Sequence, residues 1–193
     1  MLAAVSDTLR SRMTAALAGL SVPPPVAELH DLSSAPQTDP PRVTLFLYDV
    51  VEEAATRNRA PTTELVGGVL RTRKQPLSLA LYYMVTAWGG SRDTEQRMLG
   101  RVMQRMYDDA IIDGLELQGS LAGSAAGLRV SLAPLRLDDR ARVWWAIGRP
   151  YRLSVNYEVR VIDIDATTTG SAAPVSVRVL SGGVTAPPAG VTP

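Results

Sequence analysis

Leu77-Ser-Leu-Ala-Leu-Tyr-Tyr-Met-Val-Thr-Ala-Trp88 is the stretch on which the fold turns. It reads as a long apolar strand, and at about 3.3 Å per residue it spans ~40 Å. Gly89-Gly90 stops it. Upstream, Arg42-Val-Thr-Leu-Phe-Leu-Tyr48 has a period of two, with Val43, Leu45 and Leu47 on one face and Thr44, Phe46 and Tyr48 on the other. Both faces are largely apolar, which places this strand in the interior of a sheet. Downstream, Leu153, Val155, Tyr157, Val159 and Val161 alternate with Arg152, Ser154, Asn156, Glu158 and Arg160. That last strand has one dry face and one wet face.

Helical periods flank these strands. Leu2, Val5, Leu9, Met13, Leu17 and Leu20 recur at spacings of three and four, with Asp7, Arg10 and Arg12 between them, as in an amphipathic helix that ends at Gly19. Ser21-Val-Pro-Pro-Pro25 breaks it, because Pro has no amide hydrogen and clashes with the preceding turn. A short extended piece over residues 26–32 and a polar, Pro-rich loop over 33–41 follow. Residues 52–61 read as a polar crossing, and residues 65–74 as one strand broken by Gly67-Gly68. Ser91 or Asp93 caps a second helix, with Gln96 three residues after Asp93 as in a capping box. Its stripe is Glu95, Met98, Leu99, Val102, Met103 and Met106, the Met residues serving as adaptable core filling. Gly119, Gly123 and Gly127 mark a flexible loop, residues 128–135 a strand, and Asp138-Asp139 the start of a short helix closed by Gly148 and Pro150.

After Asp165 the composition turns to Ala, Thr, Gly, Ser and Pro, with Arg178 the only charge. The expected organisation is one domain over residues 1–165 and a low-charge tail over 166–193, mobile alone or ordered by a partner. Residues 174–180 are able to form a strand where an edge is offered.

Composition bounds the function. A chain of 193 residues with 46% apolar and 20% charged side chains and a mean hydropathy of +0.04 buries a single core. Twenty basic against 19 acidic residues leave a net charge of +1, which gives no bulk field toward nucleic acid or an anionic membrane. Without Cys there is no disulfide, no thiolate nucleophile and no Cys-ligated metal, and one His, His30, cannot build a His-based metal cluster. The N-terminus lacks a basic region before its apolar residues, and no apolar run approaches the ~20 residues of a spanning helix. The expectation is a soluble protein that starts in the cytoplasm.

Signatures of chemistry are missing or have plain readings. Lys74, the only Lys, follows Arg73 and precedes Gln75, so there is no phosphate-binding Gly-Lys-Ser/Thr. Gly119-x-x-x-Gly123-x-x-x-Gly127 leads into a strand, where a dinucleotide fingerprint demands a helix. The acid pairs Glu52-Glu53, Asp108-Asp109 with Asp113, Asp138-Asp139 and Asp163/Asp165 sit at loop edges, helix ends and a strand exit, and no other acid is brought near them. His30 reads as a solvated or hydrogen-bonded structural residue. Arg57, Arg59, Arg71 and Arg73, with Glu52, Glu53 and Glu64 nearby, read as a solvated face or a protein-contact surface. Trp144 and Trp145 are adjacent on a helix, so their side chains point about 100° apart. Either one is an exposed interface anchor, or both wrap around a curved core.

Taken in order, these segments resemble the cap, or tail-terminator, proteins of phage-tail-like extracellular contractile injection systems. The resemblance is carried by Arg42-Val-Thr-Leu-Phe-Leu-Tyr48, Leu77-Ser-Leu-Ala-Leu-Tyr-Tyr-Met84, Met98-Leu-Gly-Arg-Val-Met103 and Leu135-Arg-Leu-Asp-Asp139 leading to Val143-Trp144. Its most specific part is Arg149-Pro-Tyr-Arg-Leu-Ser-Val155 through Tyr157-Glu-Val159 to Ile164-Asp165. Arg140, where the family has an apolar residue, and Trp145, an extra aromatic, depart from the pattern.

The resemblance implies a mixed α/β (α+β) fold, a mainly antiparallel sheet of long strands packed by about three helices, phage tail-terminator-like. It implies a structural protein and no enzyme, with no catalytic residue, cofactor or metal. The partners implied are further copies in a hexameric ring and the inner tube and sheath proteins, without nucleic acid or membrane. Such a cap assembles in the cytoplasm as part of the particle and is released on lysis. The candidate interface residues are Arg57, Arg59, Trp144, Trp145 and Arg178. A transient assembly factor or connector of a phage-tail-like particle is the alternative.

Overall fold

Successive residues of an extended chain face opposite ways, and the decisive stretch has apolar neighbours on both sides of it. Leu81, Tyr83, Val85 and Ala87 are buried on one face, and Met84, Thr86 and Trp88 on the other. The computed structural model describes residues 1–21, 23–53, 62–66, 69–73, 77–124, 127–164 and 169–171. In chain order the described elements are helix α1 (Leu2–Leu17), strands β1 (Val26–Leu29), β2 (Arg42–Glu52), β3 (Thr62–Val66), β4 (Val69–Arg73) and β5 (Leu77–Trp88), and helix α2 (Arg92–Asp108). Strand β6 (Ile111–Asp113), two 3-10 turns (Gly114–Glu116 and Gly119–Leu121), strand β7 (Gly127–Leu132), helix α3 (Leu137–Ile147), and strands β8 (Ser154–Ile164) and β9 (Thr169–Ser171) complete them.

The main sheet has the order β1-β2-β5-β8-β7-β6. Only β1 with β2 is parallel, and every other pair in the sheet is antiparallel. The three long strands lie side by side, with Leu45 opposite Val85 and Val85 opposite Val155. A second, small sheet has the order β3-β4-β9. The fold is therefore the mixed α+β arrangement, mainly antiparallel, that the sequence suggests.

One face of the sheet is covered by α1 and α2. Val5, Leu9, Met13 and Leu17 from α1, and Met98, Leu99, Val102 and Met106 from α2, bury Val43, Leu45, Tyr83, Val85, Tyr157 and Val159. Hydrogen bonds fasten the layers where the apolar contact alone would slide. Ser6 Oγ and the Tyr83 hydroxyl lie 2.8 Å apart inside the core. The Thr8 hydroxyl donates to Ala4 O and accepts from the Gln118 N–H at 3.0 Å, tying α1 to a segment 110 residues away. The opposite face is covered in part by α3, whose Trp144 joins Leu32, Met84 and Trp88. Three layers result, with β5 in the middle of the middle one.

Several expectations are corrected in detail. The wet face of the last strand is dry at its start, because Ser154 and Asn156 are buried under α3. Residues 65–74 do not form one broken strand; β3 and β4 are antiparallel, with Val66 opposite Val69 and only the Gly67-Gly68 pair between them in sequence. Helix α1 ends at Leu17, and Gly19, with φ of 81°, lies beyond it. Ser91, and not Asp93, caps α2, accepting from the Thr94 N–H at 3.2 Å; Asp93 pairs with Arg97 at 3.0 Å in the first turn. Strand β7 stops at Leu132, two residues before Pro134. Residues 174–180 lie outside the described residues.

Burial holds the Tyr83 phenol neutral, pushing its pKa from 10.0 up to about 12, with the Ser6 hydrogen bond opposing part of the rise. Burial also raises Tyr157. An unfolded chain ionises these groups near pH 10 and the folded chain does not. Stability is therefore intact below pH 10 and falls as the pH rises toward 12, by up to about 1.4 kcal/mol per pH unit for each buried Tyr. Urea unfolding followed across this range checks it. Tyr83→Phe is expected to flatten the slope, and a profile unchanged up to about pH 12 would contradict the burial argument.

Candidate functional site

Helix α3 carries both of the adjacent Trp residues that the sequence offers as contacts. Asp138 and Asp139 stand in its first turn, where the helix dipole favours acids. Gly148 ends it in the left-handed conformation, φ 75° and ψ 28°, and its N–H reaches back to the carbonyls of Trp144 and Trp145. Between these ends Val143, Trp144 and Ile147 face the sheet, so Trp145 must turn away from it.

The two Trp residues have different fates. Trp144 is 1% exposed, its ring lies 6.5 Å from that of Trp88 at 60°, and its indole N–H donates to Ser154 Oγ at 3.2 Å. Trp88 Nε1 donates in turn to Thr44 Oγ1 at 2.9 Å. Trp144 is therefore part of the core. Trp145 is 83% exposed and shares its side of α3 with Leu137 and Ala141, both exposed, at spacings of four.

A lattice of Arg contacts pins this helix and its approaches. The Arg149 Nε donates to Leu32 O at 2.8 Å and its Nη2 to Ser33 O at 3.3 Å. The Arg152 guanidinium lies 4.2 Å over the Trp88 ring and pairs with the buried Glu95 of α2, which also takes Arg92 at 2.9 Å. Arg140, the departure from the family pattern, turns its Nη1 to Ser154 O at 3.4 Å, so its charged head serves a main-chain acceptor. Sequence reading placed Glu95 in a helical stripe and Arg149 and Arg152 in the most specific segment of the resemblance, but gave none of them, nor Leu32, a contact. Their partners are brought together only by the fold.

Further apolar surface lies beside α2. A groove of about 510 Å³ runs between α2 and the end of β7, lined by Leu99, Met103, Leu132, Leu135 and Leu153. At the β6 border of the sheet, Tyr107 is 83% exposed, Ile111 62% and Leu115 96%. Acids cluster at this border too. Asp109 is held by Arg12 at 3.3 Å and by Arg105 at 2.7 Å, and Glu116 by Arg12 at 2.5 Å. The hydrogen bond from Arg12 holds the Glu116 carboxyl below the usual carboxylate range and raises Arg12 in return. Asp108 and Asp113 are exposed and stand outside these pairs.

The other sequence candidates fall as follows. His30 Nδ1 accepts from the Leu32 N–H at 2.8 Å, a structural hydrogen bond. Glu53 lies 3.4 Å from Arg160. Arg71 is placed opposite Glu64 in the register of the small sheet. Arg57, Arg59 and Arg178 lie outside the described residues. Among the described residues no three of His, Cys, Asp and Glu are grouped to hold a metal ion, and no helix is long and apolar enough to cross a membrane.

Removing the buried indole and the exposed one should have opposite consequences. Trp144→Ala is expected to cost about 3–5 kcal/mol in chemical denaturation. Trp145→Ala should stay within about 0.5 kcal/mol of the parent. Equal losses would mean that α3 is seated differently.

Comparison with known proteins places this geometry. The family model described as the Pvc16 N-terminal domain matches residues 3–178. Among solved structures the chain is similar to a PVC sheath/tube terminator of an extracellular contractile injection system in the extended state, with a TM-score of 0.63 at 20% identity over 96% of this chain. It is also similar to the anti-feeding prophage cap, a tube-terminating cap, with a TM-score of 0.57 at 20% identity over 93% of this chain. This chain spans 64% and 59% of those two. No curated protein matches the sequence.

Proposed function

The chain belongs to the Pvc16 N-terminal domain family, and from that membership we propose that it is a structural cap of a contractile injection particle. It ends the distal growth of the inner tube and sheath and holds the sheath extended. The observation that carries the reading is the likeness of nearly the whole described fold to a sheath/tube terminator. The role is one of shape and transforms no molecule. A polymer with heterologous contacts grows until something offers it one matching face and no second one, and a ring of identical copies does so with a single gene product.

The ring is proposed to be hexameric, assembled in the cytoplasm and carried on the particle. Trp145, exposed on α3, is assigned to its contacts, together with Arg57, Arg59 and Arg178 and the low-charge residues 166–193. Trp144 serves the fold instead.

Deletion of the gene is expected to yield tubes and sheaths of irregular length, or sheaths contracted early, as seen by electron microscopy of purified particles. Extended particles of uniform length from such a strain would overturn the reading. The protein itself should be found in mature particles, which a transient assembly factor would not be. Light scattering on purified protein should give a hexameric mass, and Trp145→Ala should shift it toward monomer.

A further inference from the structure

The main sheet has two borders, and among the described residues they are not equally closed. At the β1 border, Val26 and His30 turn their N–H groups toward β2, so that of Ala27 points outward, where Thr14 Oγ1 of α1 accepts it at 3.1 Å. At the other border the Val130 N–H donates to Ala110 O at 2.9 Å. Ala110 and Ile112 therefore direct their main chain at β7, and Ile111 and Asp113 direct theirs outward. Both residues are exposed, and Tyr107 and Leu115 expose apolar surface nearby in the chain. An open edge of this kind is a template for another strand.

We propose that the β6 edge receives residues 174–180 of a second copy of this chain, added as a further strand of the main sheet. The inference rests on the ring reading above. Pro174-Val-Ser-Val-Arg-Val-Leu180 places Val175, Val177 and Val179 on one face and Ser176 and Arg178 on the other. Its Pro is at the first position, where no ladder bond is lost. Charge matches as well. Arg178 is the only charged residue after Asp165, and the acid of the β6 edge itself is Asp113, exposed and outside the Arg12 and Arg105 pairs, with Arg129 of β7 opposite Ile111 at its other end.

The ring reading makes the donor a neighbour's segment. Residues 169–171 pair with β4 in the small sheet, so the chain is last described on a sheet other than the one whose edge it would extend. Donation from each copy to the next is a heterologous, head-to-tail contact, and closed rings are made from such contacts.

The chain has no Cys, which makes the test direct. The full-length Ile111→Cys and Ser176→Cys proteins, whose positions share the face of Asp113 and Arg178, are mixed and treated with a short bismaleimide cross-linker, and the double variant is treated in the same way. The expected result is a covalent pair from the mixture and a ladder up to the ring mass from the double variant. A double variant that closes only on itself, or one whose thiols both react with a monofunctional maleimide yet give no ladder, overturns the proposal. Asp113→Arg should weaken self-association about tenfold, and adding Arg178→Asp should restore it; unchanged association after the first substitution would remove β6 as the acceptor. All of this is measured without tube or sheath. Rings that persist with no cross-link defeat this inference alone, whereas a parent chain that forms no ring defeats the reading beneath it.

Discussion

A strand covered on both faces and paired on both edges keeps no surface of its own, and β5 is held in that condition along most of its length. The rest of the protomer is arranged to satisfy it. β2 and β8 take its two edges in antiparallel register, α1 and α2 cover the face of Tyr83 and Val85, and α3 covers that of Met84 and Trp88. Burying a polar main chain so completely is tolerable only because the ladder is matched along most of β5, with register shifts at Tyr48 and Ser78, and so the long neighbours have to be nearly as long as β5 itself. Three of the polar groups caught between layers are likewise matched, whereas the Thr86 and Tyr157 hydroxyls and the Asn156 amide are buried without a partner among the described residues. Thr44 takes the indole N–H of Trp88, Ser154 that of Trp144, and Ser6 meets the hydroxyl of Tyr83.

Most of this was legible in the order of residues because the elements concerned obey one period each. Val43 to Tyr48 and the residues of β5 are largely apolar on both faces of an extended chain, and the spacing of Leu2, Val5, Leu9 and Met13 admits only a helix. The failures are of two physical kinds. Ser154 and Asn156 look like solvent-facing residues because polarity within a strand says nothing about a helix that returns from elsewhere to cover them. Strand β6 is three residues long and follows the end of α2 after a two-residue gap, too short to establish a period. Its existence depends on pairing with β7, which is contact made at a distance in sequence.

The candidate surface divides along the same line. That only one of Trp144 and Trp145 faces the core follows from their adjacency on a helix, but which one does so depends on Trp88 and Leu32, contributed by segments well upstream. The Arg-rich composition conceals another division. Arg149 and Arg152 spend their charge inside the protomer, on main-chain carbonyls, on Glu95 and on an aromatic face, and so add little to any external field. Counting basic residues would therefore misjudge the surface, since those that matter to packing and those open to a partner are separated only by the fold.

The unequal sheet borders have a consequence for how such a protein could assemble. A long, flat, apolar edge would recruit strands indiscriminately, and here one border is occupied by Thr14 while the other is cut to three residues. Ile111 and Asp113 offer two N–H and two C=O groups, and at about 0.5–1.5 kcal/mol for each hydrogen bond the pairing contributes roughly 2–6 kcal/mol. Bringing two free proteins together costs about 4–15 kcal/mol in lost translational and rotational freedom. A single pairing of this size does not hold two protomers. In a closed ring each copy is held on both flanks, and closing the last contact requires no further loss of that freedom. A short edge is thus suited to a protein that should stay dispersed until the ring can close, and unsuited to one that adds copies without limit.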